Sequence, residues 1–223
     1  MAASWSDYNN FDITQEKIAA SGNIMFLMDK TGKLRDLSSE GYSYDFCYCY
    51  IFKGCESLTQ APVLPATTLA DGCYYQMFNG CASLTQAPEL PAEIITFACY
   101  DRMFQSCASL TQAPELPAKI LKESCYAEMF KDCTSLTKAP ALSATSLAYA
   151  CYYDMFCGCT AILEPKYNMS HMTFDEVVNA IQNEFILIFG SEGNSDTMQI
   201  QCSDKILVAT FDEDNREWII TEG

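Results

Sequence analysis

Ten cysteines set the frame of this chain. One series stands at Cys47, Cys73, Cys99, Cys125 and Cys151, the other at Cys55, Cys81, Cys107, Cys133 and Cys159, and every step in both is 26 residues. Tyr48, Tyr74, Tyr100, Tyr126 and Tyr152 follow the first series. Phe52, Phe78, Phe104, Phe130 and Phe156 keep the same period, each preceded by Ile51 or a methionine (Met77, Met103, Met129, Met155). The unit reads Cys-Tyr-x-x-Met-Phe-x-x-Cys-x-Ser-Leu-Thr-x-Ala-Pro-x-Leu-Pro-Ala. Its first half occurs five times and its second half four times without defect. Self-similarity at a fixed period of this length predicts repeats that stack, because no single copy can cover its own apolar face.

Each unit divides into two short elements. Leu69, Cys73, Met77 and Cys81 are spaced by four, which predicts one face of a short helix. Gly80 stands where that helix would end, as do Gly54 and Gly158, whereas Ser106 and Asp132 take the same place in the other copies. Pro65, Pro91 and Pro117 break the chain before the helix, and Ser143 replaces the proline in the fourth copy. The other half, Leu84 to Leu90, predicts a short extended segment interrupted by Pro88, which lacks a donor. Stacked side by side, these segments would form a parallel ribbon opposite the helical turns.

The ends differ, as capping requires. Residues 1–46 hold no copy of the unit and predict an N-terminal cap; residues 47–169 are the five repeats; residues 170–223 predict an acidic C-terminal cap of a helix plus a small antiparallel sheet. In the first, Ser21 to Met28 reads as a strand, Asp29 to Gly32 as a turn, and Thr14 to Lys17 as a helix turn or loop. In the last, Thr173-Phe174-Asp175-Glu176 is a capping-box signature, followed by Val177, Val178 and Ile181 at helical spacing. Phe185–Phe189, Met198–Cys202, Ile206–Phe211 and Trp218–Thr221 read as strands. The cap carries 11 acids and 2 bases, net −9, against 18 acids and 11 bases, net −7, in the rest.

The pattern Cys-Tyr-x-x-Met-Phe-x-Gly-Cys-x-Ser-Leu-Thr-x-Ala-Pro-x-Leu-Pro-Ala-Thr-Thr-Leu-Ala, carried by residues 47–70 with Ile51 at the methionine position, resembles the BspA-like leucine-rich repeat family. The likeness is to its long-repeat form in gut Bacteroidetes and their phages and mobile elements. The lead-in Ser21-Gly22-Asn23-Ile24-Met25 is similar to theirs as well, so the resemblance spans about residues 20–165. It implies an α/β fold, a right-handed β/α leucine-rich-repeat solenoid, here with a small α+β C-terminal cap. It also implies a surface adhesin or interaction module, and it carries no catalytic motif. Residues 170–223 lie outside it.

Thirteen cysteines allow three kinds of chemistry. On a helix, Cys73 and Cys81 would stand about 12 Å apart, beyond disulfide reach. Cys47-Tyr48-Cys49 and Cys157-Gly158-Cys159 lack the spacing of zinc knuckles and lie at opposite ends of the array. Small buried thiols filling a narrow core is the expectation, with no metal, no cofactor and a reducing compartment. His171 is the single histidine; a dyad with Cys159 or Cys151 is conceivable, but a junction residue is expected. No phosphate loop and no Gly-x-Ser-x-Gly is present, so the chain reads as a non-enzyme.

Function should then lie on outward positions that vary while the core stays constant. Gln60, Gln86, Gln112 and Lys138 form one such column on the ribbon, and Val63, Glu89, Glu115 and Ala141 another. On the helical side Tyr75, Asp101, Ala127 and Tyr153 share a register, and Lys53, Asn79, Gln105, Lys131 and Cys157 share the next. The acidic turn Asp212, Glu213, Asp214, Asn215 completes the candidates as a solvated hairpin turn or a cation site. The formal net charge of −16 argues against direct nucleic-acid and anionic-membrane binding and permits a basic protein partner. The expectation is a protein-binding scaffold. An acidic inhibitor, encoded by a phage or mobile element, that covers a basic nucleic-acid-binding surface such as that of a defence nuclease is one alternative, and an adhesin fragment another. The start, Met1 to Asp7, has no basic or apolar leader signature, which predicts a cytoplasmic protein unless a leader has been removed.

Overall fold

The segments read as helices fold instead as runs of four-residue turns. In the second copy the amides of Cys73, Tyr75, Met77, Asn79 and Cys81 each donate to the carbonyl three residues back, at 2.9–3.4 Å. The amides between them, on Gly72, Tyr74, Gln76, Phe78 and Gly80, donate to Phe97, Cys99, Asp101, Met103 and Gln105 of the next copy at 2.8–3.0 Å. Alternate residues therefore close the turn and tie the stack. The between-copy set recurs in the third and fourth copies, and the within-turn set recurs from Asp101 to Cys107 and from Cys125 to Cys133. Every fourth residue has a left-handed backbone: Phe46, Tyr50 and Gly54 in the first copy, Gly72, Gln76 and Gly80 in the second, and so on to Ala150, Asp154 and Gly158. A right-handed helix has no place for these residues, so the spacing of four is the period of the turns. This computed structural model describes residues 18–27, 36–37, 44–163, 167–182, 197–203, 205–212 and 217–223.

Eleven of the left-handed residues are not glycine, and each costs about 1–2 kcal/mol. Stacking offsets the strain. The tyrosine rings from Tyr48 to Tyr152 lie 5.6–6.1 Å apart, centroid to centroid, and the phenylalanine rings from Phe52 to Phe156 lie 5.4–5.8 Å apart and within 6° of parallel. Stacked aromatic pairs contribute about 0.5–1.5 kcal/mol each beyond burial. Met77, Met103, Met129 and Met155, with Leu84, Leu110 and Leu136, fill the space between the ladders and are fully buried.

The extended half is less regular than a ribbon. β1 (Ile18–Ala19) pairs in parallel with β2 (Leu58–Gln60), but residues 84–90 and their later equivalents form no strand. Scattered bonds link them, such as Thr111 N to Thr85 O at 3.5 Å and Thr137 N to Thr111 O at 3.3 Å. Pro88 and Pro114 remove donors from the middle of the segment, which prevents a continuous ladder.

Both ends are joined to the stack through its backbone. The segment expected to be a strand before the repeats contains a 3₁₀ turn, Ile24–Leu27, whose Met25 amide donates to the Asn23 side chain at 2.9 Å. That local bond competes with sheet pairing, and Asn23 retains only a single parallel bridge to Val63. At the other end, β3 (Tyr167–Asn168), β4 (Thr197–Gln201), β5 (Ile206–Asp212) and β6 (Glu217–Glu222) form one sheet in that order. The sheet is mixed rather than antiparallel throughout: β4, β5 and β6 are antiparallel, but β3, which lies before α1, pairs with β4 in parallel because the helix carries the chain back between them. Asn168 bridges to Ala141 and its carbonyl accepts from Leu142 at 3.0 Å, which fastens the sheet to the fourth copy. The capping box forms as expected: Thr173 N donates to Glu176 Oε2 at 2.8 Å and Glu176 N to Thr173 Oγ1 at 3.3 Å. It opens α1 (Phe174–Gln182), which buries Val177, Ala180 and Ile181. Among the described residues, no helix is long and apolar enough to cross a membrane. The expectations for Thr14 to Lys17, Asp29 to Gly32 and Phe185–Phe189 lie outside the described residues.

Candidate functional site

The ribbon side presents the two columns expected of it. Leu84, Leu90, Leu110 and Leu116 turn inward and are buried, while Gln60, Gln86, Gln112 and Lys138 stand exposed. Glu89 and Glu115 are exposed too, between Val63 and Ala141, whose backbones bridge to the two ends. A row of threonines runs beside them. Thr111 Oγ1 donates to the Thr85 carbonyl at 3.5 Å and Thr137 Oγ1 to the Thr111 carbonyl at 3.2 Å, which steadies the column of glutamines next to it.

The turn side is different, and two expected surface residues are not there. Asp101 is buried, as is Ala127 in its register, and Tyr75 and Tyr153 are only half open. A period of four rather than 3.6 sets this register against neighbouring copies, and Arg102 folds over it. Arg102 Nη1 lies 3.3 Å from Asp101 Oδ1 in charge contact, and it donates to Asp101 Oδ2 at 3.5 Å and to the Tyr75 hydroxyl at 3.3 Å. The neighbouring column, Gln76, Arg102, Glu128 and Asp154, escaped the sequence reading and carries the charge on this face. Glu128 is buried and accepts from Arg102 Nη2, from Lys131 Nζ at 2.9 Å and from Gln105 Nε2 at 3.4 Å. Lys131 also reaches the buried Asp154 at 3.4 Å. Lys53 donates to Gln76 at 2.6 Å, and Asn79 to Gln105 at 2.7 Å. Lys53, Asn79, Gln105, Lys131 and Cys157 are thus half-buried, and the first four are members of this network rather than a free surface. Reading the column at 76, 102, 128 and 154 down the repeats shows the signal: one neutral, one basic and two acidic side chains at a single register position.

Electrostatics follow from this burial. Burial pushes the Asp101 carboxyl up to about 7; Arg102 opposes the rise and Glu128 adds to it. Burial acts to lower the charged forms of Arg102 and Lys131, but the surrounding acids outweigh it and hold both above their ordinary values. Tyr50, beside Tyr75 at 5.4 Å between ring centroids, is pushed up to about 12, chiefly by burial.

The candidate chemistry of thiols and histidine is dispersed. All thirteen cysteines are unbridged, and all but Cys47 and Cys157 are buried. Cys81, Cys107, Cys133 and Cys159 donate their thiol hydrogens to the carbonyls of Phe52, Phe78, Phe104 and Phe130 at 2.9–3.2 Å. Equivalent cysteines of adjacent copies stand at ladder spacing, since Tyr48 N donates to Cys73 O at 2.9 Å, and they are unbridged nonetheless. His171 Nε2 is 2.7 Å from the Ala144 carbonyl. Cys159 is engaged with Phe130, and burial pushes the Cys151 thiol up to about 12. Among the described residues, no group of three or more His, Cys, Asp or Glu is placed to hold a metal ion. Asp212 ends β5 opposite Glu217, whereas Glu213 and Asp214 lie outside the described residues.

No protein-family model matches the chain, and neither the curated proteins nor the solved structures yield a match.

Proposed function

We propose that this chain is a leucine-rich-type solenoid, BspA-like in its unit, that acts as a non-catalytic scaffold for binding another protein. The observation that carries the reading is the exposed column Gln60, Gln86, Gln112 and Lys138 with Glu89 and Glu115 beside it, on a core whose inward residues hardly change. Constant interior and variable exterior is the arrangement by which stacked repeats recognise partners. The half of each unit opposite the ribbon is built of four-residue turns, so the solenoid is stiffened by cross-copy bonds on that side.

Arginine at Gln86, Glu89, Gln112 and Glu115 together tests this. The variant should fold normally and lose the partner that the unaltered chain captures from its native host; retention of that partner at full strength sinks the reading.

An acidic inhibitor of a basic surface is the second reading, and the charge of residues 170–223, net −9, favours it. Association driven by such a surface should weaken steeply between low and moderate salt, as the Debye length shrinks to about 8 Å. An affinity independent of salt excludes this version while leaving the scaffold intact.

A further inference from the structure

An apolar strip runs along the corner where the extended half of each unit leads into the turns. Ile94 and Ile120 hold the same position in consecutive copies and are 61% and 60% exposed. Phe97 and Tyr149 share a second position, three residues on, and are 44% and 50% exposed. Single exposed apolar side chains are ordinary, but four in register across three copies mark a contact surface.

The charges around the strip say what it fits. Glu93 and Lys119 hold the position before the two isoleucines, and Lys122 and Glu123 flank Ile120; all four are exposed. Two acids and two bases cancel, on a chain whose formal net charge is −16. Two copies would repel one another elsewhere, so a neutral apolar strip is where they can approach. Lys119 is held in place, donating to the Ser143 carbonyl at 3.2 Å and hydroxyl at 2.7 Å, with its third N–H left to point outward.

We propose that this strip binds a second copy of the chain, face to face and antiparallel, about a two-fold axis lying between the second and third copies of the unit. That axis exchanges the two copies and keeps each position opposite itself. Ile94 then faces Ile120 of the partner subunit, and Glu93 faces Lys119 of the partner subunit, each contact occurring twice, while Phe97 lies against Glu123 of the partner subunit at the edge of the contact. Moving the axis onto the third copy would set Lys119 against Lys119 of the partner subunit and Glu123 against Glu123 of the partner subunit. Like charges in contact exclude that register. The strip is small against the roughly 1,200 Å² at the low end of stable interfaces, so the dimer is weak and concentration-dependent. The proposal does not use the ribbon columns, so failure of the scaffold reading leaves it standing.

Sedimentation equilibrium up to about millimolar concentration tests it, with circular dichroism to confirm folding. The unaltered chain should pass reversibly from monomer to dimer. Glu93→Lys and Lys119→Glu should each weaken the dimer at least about tenfold, and the two together should restore it. Ile94→Asp with Ile120→Asp should abolish it. A monomer at every concentration overturns the proposal. So does a double charge swap as weak as the single ones, or association that survives the two aspartates.

Discussion

The Cys133 thiol donates to the carbonyl oxygen of Phe104, 3.0 Å away and 29 residues earlier. The bond repeats down the stack and gives the second cysteine series a directional role that an alanine of similar size would lack. Burial also raises the thiol's pKa, so Cys133 stays protonated and unreactive.

Thiol reactivity should therefore divide sharply. In the folded chain, without reductant, only Cys47 and Cys157 should react quickly with a colorimetric disulfide reagent, since they alone among the thirteen are half open. After unfolding in denaturant all thirteen should react. A deficit of two or more after unfolding would show that bridges exist and would contradict the buried-thiol core.

Glu128 is the acceptor on which three donors converge, and its removal should be costly. Glu128→Ala takes away the acid that Arg102 and Lys131 share, leaving Arg102 beside Asp101 and Lys131 beside Asp154. Stripping one partner from a buried charge network destabilises by about 3–5 kcal/mol. Urea unfolding of the variant checks this, and a loss below about 1 kcal/mol would mean the network is held together by packing alone.

Asp101 should make stability depend on pH. Its carboxyl, raised from 3.8 to about 7, holds its proton more tightly in the folded chain than in the unfolded one. The stabilisation is complete below the unfolded value and is lost as pH climbs through about 7. Asp101→Asn should flatten that slope and, at a pH above 7, make the chain more stable by roughly 2–4 kcal/mol. Unfolding midpoints of both proteins, measured from mildly acid to mildly alkaline pH, decide it; parallel curves would refute the burial argument.

Backbone strain gives the last prediction. Ser106 has φ of 60° at the position where three other copies carry Gly54, Gly80 and Gly158. Ser106→Gly should raise stability by about 0.5–1 kcal/mol, the left-handed penalty less glycine's greater entropy when unfolded. The converse change, Gly72→Ala, drives a methyl into the Phe46 ring at a left-handed residue and should destabilise the chain. Thermal unfolding compares the two, and a neutral Gly72→Ala would be the outcome hardest to reconcile with the packing.

The repeat register was legible from the residues alone, and so was the inward set: Tyr74, Met77, Phe78, Cys81 and Leu84 recur because the same side chain must meet its own copy above and below. The capping box at Thr173 and Glu176 was equally legible, since its bonds close within three residues. What the residues could not separate is a helix from a run of turns. Over the thirteen residues from Leu69 to Cys81 a period of 3.6 and a period of four place the same side chains inward. The choice rests on bonds such as Tyr74 N to Cys99 O, made 25 residues along the chain. Only the stacked structure supplies those acceptors, and they compensate for left-handed residues that an isolated segment would avoid. The same stacking buried Asp101, joined Arg102 to Glu128, and left Ile94 and Ile120 in the open.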